Sequence, residues 1–131
     1  MSDNCCDAFQ SAVADYLIRH RSVIDILTKY QESNAKVNRA FAKAVTECGC
    51  VEINATRQNP PSQVAYSDLK QYMSSHISGQ LCEQCREVIS NELGHNLFYI
   101  VALCNLLNLN VNEIMHQEYK TVTTLGVFHL T

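Results

Sequence analysis

No surplus of positive charge runs through this chain, in which 10 Lys and Arg stand against 13 Asp and Glu for a formal net charge of -3. Binding to a phosphate backbone draws on Lys and Arg to displace counterions, so a nucleic-acid partner is not favoured. Long apolar runs are missing too. No stretch reaches the roughly 18 to 20 apolar residues of a membrane span. The opening MSDNCCDAFQ has neither the basic start nor the apolar run of a secretory signal. These absences predict a cytoplasmic protein without a membrane partner. Glycine and proline are scarce, at four and two, and neither interrupts the chain before Gly49. There is no internal repeat and no low-complexity run.

The residues that are present suit one core. The 131 residues, 47% of them hydrophobic, are ample for one globular domain and short for two, so 1–131 is read as a single all-α domain. Phe9, Val13, Leu17, Ile24, Leu27, Phe41 and Val45 recur with helical spacing and predict a long helical region over 5–48. One helix of about 40 residues would be about 60 Å long, against a radius of gyration of ~14 Å for a compact chain of this size. The region must break, bend or dimerise. Ser22, with Asp25 three residues on, offers a cap for a second helix.

Asn59, Pro60 and Pro61 mark a loop over 51–66, and a short helix is expected at 67–75. Leu81, Cys85, Val88, Ile89, Leu93, Leu97, Ile100, Cys104 and Leu107 then define a core helix over 81–108. Beyond Asn96 it is apolar nearly all round, which calls for burial under other helices or in a dimer interface. Asn110 and Glu113 signal the start of a last helix, 111–122, with Val111, Ile114, Met115, Glu118 and Val122 on its inward face. The tail 126–131 reads as a strand or docking segment. The sum is a helical bundle that forms a homo-oligomer, a dimer in its simplest form.

Seven cysteines cannot all pair within one chain, and in a reducing compartment they are thiols or metal ligands more often than structural disulfides. Cys48-Gly49-Cys50 ends the first helical region and Cys82-Glu83-Gln84-Cys85 opens the core helix. If the intervening segment returns the chain to the same pole of the bundle, the four sulfurs converge into a closed tetrahedral site suited to a structural zinc ion. Reduced thiols without metal, and a redox pair with a thiol pKa lowered at the helix N-terminus, are the alternatives. Cys5 and Cys6 lie near the terminus, and Cys104 reads as a small core residue.

Cys85, Val88, Glu92, His95 and Tyr99 share one helical stripe, which makes Glu92 and His95 neighbours. They form either a hydrogen-bonded pair or a pair of ligands. Glu-x-x-His also occurs in di-iron bundles and is repeated at Glu113 and His116, but the inward face assigned to the last helix turns His116 away. Gln31, Asn34 and Asn38 interrupt the apolar stripe of the first region. They are exposed, or build an interhelical amide network, or with Glu32 line a polar substrate pocket facing Glu92 and His95. Arg39 and Lys43 could add phosphate contacts there, or are solvated surface charges.

The segment ISNELGHNLFYIVALCNLLNLNVNEIMHQEYKTV, residues 89–122, resembles the second half of the MazG-like all-α nucleoside triphosphate pyrophosphohydrolases. There a helix carrying E-x-x-D runs into an apolar segment, an L-x-L-x break and a helix with an acidic start. The resemblance implies an all-α, usually oligomeric fold whose carboxylates hold magnesium against the phosphates of a nucleotide. Glu92 matches the glutamate of that motif, while His95 stands where the aspartate is expected, and imidazole is a poor magnesium ligand. The E-E-x-x-E helix of those enzymes has no counterpart, since Glu83 and Glu87 precede Glu92 on the same helix and Glu32 is the acid best placed to join from another. The resemblance therefore implies a nucleotide-binding or pyrophosphohydrolase-related protein with an altered, weakly active or inactive site in which Glu92 and His95 are the catalytic candidates. The alternative is a non-catalytic dimeric interaction or sensor module with zinc on Cys48, Cys50, Cys82 and Cys85.

Overall fold

The computed structural model describes residues 2–126, so the expected tail lies almost wholly outside the described residues. The first helical region is broken, as its length requires. Helix α1 spans Ser2–Tyr16 and α2 spans Val23–Lys43. Ser22 stands at the expected start of α2 in extended conformation, and its carbonyl accepts the bond from Ile26 N at 2.9 Å. Its hydroxyl makes no cap bond. Asp25 turns instead to His20, whose Nδ1 lies 2.6 Å from the Asp25 carboxylate.

A single π-helical turn, Ala44–Cys48, continues from α2 and ends at Gly49, which takes the left-handed conformation with φ of 80°. A non-glycine residue there would set its Cβ against the carbonyl. Two short strands come next that no sequence pattern announced: β1, Val51–Ile53, pairs antiparallel with β2, Ile77–Gly79. The expected loop 51–66 therefore begins with a strand, and the short helix is a 3-10 helix at Tyr66–Tyr72. Helix α3 spans Glu83–Leu106 and α4 spans Val111–Leu125, close to the expected bounds. Between them Asn108 adopts a positive φ of 56°, and the Asn110 side chain accepts from Glu113 N at 2.9 Å as the helix cap. The helix axes turn by 106° at this elbow.

The fold is mostly helical, with α2 packed along α3 and α1 and α4 closing one end. Val13, Leu17, Ile26, Val101 and Ala102 form the core, with Phe98, Leu103 and Val111 packed against it. Among the apolar side chains of α2 the buried one is Ile26, at 0% exposure, whereas Ile24 is 74% exposed and Leu27 is also open to solvent. The break after α1 lets α2 roll independently of the stripe that Val13 and Leu17 begin, so one periodicity cannot run through both. Full burial of such a side chain stabilises by about 1.5–3 kcal/mol. The all-round burial expected of α3 is not reached within one chain: Val101, Ala102 and Cys104 are buried, while Leu97 and Leu107 are exposed. Among the described residues no single helix is long and apolar enough to cross a membrane.

Gln10 ties α1 to the elbow. Its amide Nε2 donates to Asn105 Oδ1 at 2.9 Å and to Leu109 O at 2.8 Å, while its Oε1 accepts from Val111 N at 2.9 Å. One of the otherwise unsatisfied N–H groups at the start of α4 is thereby answered from across the bundle.

Candidate metal centre

Cys48 closes the π-helical turn, Cys50 comes directly after Gly49, Cys82 caps α3 and Cys85 sits in its first turn. Two features bring these points together. The C-terminal end of α2 lies beside the N-terminal end of α3, and the β1–β2 pair sets Val51 opposite Gly79, so the intervening segment leaves and returns at one pole. Gly79 is required at that crossing. It has φ of 84°, and a Cβ there would stand 2.6 Å from the carbonyl oxygen of Cys50.

The four sulfurs all lie within 4.8 Å of one another, and Cys48 Sγ is 3.8 Å from Cys82 Sγ. Zinc–sulfur bonds near 2.3 Å in a tetrahedron give sulfur–sulfur edges of about 3.8 Å. All four cysteines are free thiols, Cys48 exposed and the other three half-buried. Cys82 Sγ accepts from the backbone N–H of Cys85 at 3.4 Å. That bond, with a further one from the Cys85 thiol, lowers the Cys82 pKa to about 7. Cys85, which gives its proton to this acceptor, is pushed up to about 12. Without metal, the quartet thus concentrates its first negative charge on Cys82. The N-terminus of α3 favours charge at the same place.

The second site expected from the sequence is only partly assembled. A pocket of about 370 Å³ between α2 and α3 is lined by Lys29, Glu32, Ser33, Lys36, His95, Phe98 and Tyr99. Glu32 accepts from Lys29 Nζ at 2.8 Å and lies 3.7 Å from Lys36 Nζ. The hydrogen bond to Lys29 comes first among the causes that lower the Glu32 pKa, and the same bond raises that of Lys29. His95 Nδ1 stands 3.3 Å from Glu92 Oε1, so the two are paired as the stripe predicted.

Glu32 and His95 share the pocket wall, but Glu92 is not among the lining residues, and neither are Gln31, Asn34 and Asn38. Gln31 and Asn38 are exposed, while Asn34 accepts from the Asn96 amide in an α2–α3 amide network. Sequence reasoning missed Lys29, Ser33 and Lys36, whose spacing of four and three residues puts them on one face of α2. Phe98 and Tyr99 were missed as lining too; their rings meet edge to face at 5.3 Å. Among the described residues, the cysteine quartet is the one group of three or more His, Cys, Asp or Glu side chains placed to share a metal ion. Glu32, Glu92 and His95 do not converge in that way, and neither do Glu113 and His116. Comparison of the chain with protein-family models, with curated proteins and with solved structures gives no match.

Proposed function

We propose that the protein is a cytoplasmic, non-catalytic interaction module whose helical hairpin α2–α3 is fastened at one end by a structural zinc ion on Cys48, Cys50, Cys82 and Cys85. The observation that carries this reading is the mutual approach of the four sulfurs to within 4.8 Å. Four thiolates form a soft donor set that favours zinc over magnesium or calcium, and a site with four protein ligands is closed, as structural zinc sites are. Zinc would supply a cross-link between the end of α2 and the start of α3, beside the buried side chains of Ala44 and Val51. Elemental analysis of the purified protein should find one zinc ion per chain. Cys82→Ser should abolish it and lower the unfolding temperature. Metal-free wild-type protein whose stability ignores a chelator would refute the proposal, and iron in place of zinc would correct the metal.

A second reading concerns the α2–α3 pocket. Lys29, Lys36 and His95 around the rings of Phe98 and Tyr99 favour an anionic ligand with a flat group, which accords with the MazG-like resemblance and a retained nucleotide-binding function. Turnover is a different matter. Magnesium-assisted attack on a phosphoanhydride calls for several hard oxygen ligands and a base to orient water, and Glu32 is already held by two lysines. Nucleotide binding without hydrolysis is the expected behaviour.

A further inference from the structure

We propose that the cysteine quartet is also an oxidation site, at which a peroxide joins Cys48 and Cys82 in a disulfide that expels the metal yet keeps α2 fastened to α3. This rests on the zinc reading above. Access gives the first argument. Of the four cysteines only Cys48 is exposed. It also lines a pocket of about 500 Å³ between the end of α2 and the first turns of α3, with Lys43 and Glu47 on one side and Gln84, Cys85 and Val88 on the other. Cys50 and Cys82 are not among the lining residues. A small neutral oxidant entering there meets Cys48 as the most open sulfur. A metal-bound thiol has already lost its proton, and the thiolate is the form that reacts.

The second argument is the neighbour that answers. Cys48 Sγ lies 3.8 Å from Cys82 Sγ, and a disulfide brings the two to about 2.0 Å. The Cys50 thiol is turned instead to the carbonyl of Ala44, at 3.9 Å. In the first step the Cys48 thiolate attacks one oxygen of hydrogen peroxide; the O–O bond breaks, a sulfenic acid forms and hydroxide leaves. In the second the Cys82 thiolate attacks the Cys48 sulfur, the S–O bond breaks and a second hydroxide leaves. Each sulfur gives up one electron, the peroxide takes both, and the two hydroxides gain protons from solvent. Cys50 and Cys85 remain as thiols, too few to close a tetrahedral site, so zinc departs. The new bond spans 34 positions and joins the end of the π-helical turn to the cap of α3, the same two points that zinc joins. A disulfide within either local pair, Cys48 with Cys50 or Cys82 with Cys85, would let those points part. The oxidised chain therefore loses its ion and keeps its hairpin.

Treating the zinc-loaded full chain with a small excess of hydrogen peroxide tests the proposal. A chromophoric chelator should register the loss of one zinc ion per chain, and tandem mass spectrometry of the unreduced tryptic digest should find Cys48 linked to Cys82. Dithiothreitol should undo the link and restore zinc binding. The oxidised protein should keep its helical circular dichroism and unfold at a higher temperature than the reduced, metal-free protein. Replacing Cys5 and Cys6 by serine should leave the release unchanged. Zinc that stays bound while the exposed Cys5 is oxidised would overturn the proposal and leave the zinc reading intact. So would a link confined to Cys48 with Cys50 or to Cys82 with Cys85. Protein that carries no zinc before peroxide is added would overturn the zinc reading itself, and this proposal with it.

Discussion

The Asn96 side-chain amide in α3 donates to the Ser33 hydroxyl in α2 at 2.9 Å, and Ser33, itself buried, donates onward to Tyr30 O at 2.7 Å. This polar chain, together with the Asn96 bond to Asn34, crosses the interface between α2 and α3. Asn96→Ala should destabilise the protein by about 1–2 kcal/mol, since it strands a buried acceptor and opens space beside it. Ser33→Ala should cost less, and the double variant less than both together, because the two side chains act on one bond. Urea denaturation of the four proteins measures each value.

The metal-free quartet should titrate in a way an isolated thiol does not. Its first proton leaves near pH 7 from Cys82, held down by the Cys85 N–H, while Cys85 keeps its proton to about pH 12. The signs oppose one another. A depressed Cys82 pKa contributes stability that is present above the unfolded thiol value and fades as pH falls through 7. A raised Cys85 pKa contributes stability that is present below the unfolded value and fades as pH rises toward 12. Ultraviolet thiolate absorbance of the metal-free protein should therefore show a single-thiolate step near pH 7, absent from Cys82→Ser. Zinc affinity should fall on acidification, because each bound thiolate must first lose its proton.

Gly79→Ala tests the crossing of β2 past Cys50. The added methyl would stand 2.6 Å from a backbone oxygen, at a φ of 84° that alanine adopts only under strain. The left-handed conformation alone costs about 1–2 kcal/mol. The clash must move Cys50 as well, so thermal unfolding should come earlier and competition with a chromophoric chelator should show weaker zinc binding. Gly49→Ala meets no atom within 4 Å and should show the conformational cost without the clash.

For the α2–α3 pocket, Lys29→Met and Lys36→Met should each weaken binding of adenosine triphosphate in calorimetry. Release of pyrophosphate under magnesium should stay at the level of buffer. Multiple-turnover cleavage to the monophosphate, lost in Glu92→Gln, would restore Glu92 and His95 to a catalytic role.

Much of this architecture was legible in the residues. The apolar spacing from Leu81 to Leu107 marked α3, Asn110 with Glu113 marked the start of α4, and the two cysteine pairs announced their own meeting. Ser22 marked the break between α1 and α2 although its hydroxyl makes no cap bond. Strands β1 and β2 went unannounced because three-residue strands carry too few alternations to show a period of two. Their one local signal is the pair of glycines, Gly49 and Gly79, beside the cysteines. The choice of Ile26 over Ile24 for the core depends on how α2 rolls against α3, a long-range outcome that no spacing within α2 encodes. For the same reason the meeting of Lys29 and Lys36 with His95 and Tyr99 follows from the fold and not from any spacing within α2.

The return of the chain at Val51 and Gly79 has a consequence for what this protein can carry. With the ends of segment 54–76 held together by β1, β2 and the cysteine quartet, the bundle does not register how long that segment is. Doubling a flexible loop adds only about 0.6 kcal/mol of closure entropy. Foreign sequence grafted near Pro60 should thus be presented as a tethered cassette, leaving α2 and α3 to fold as before.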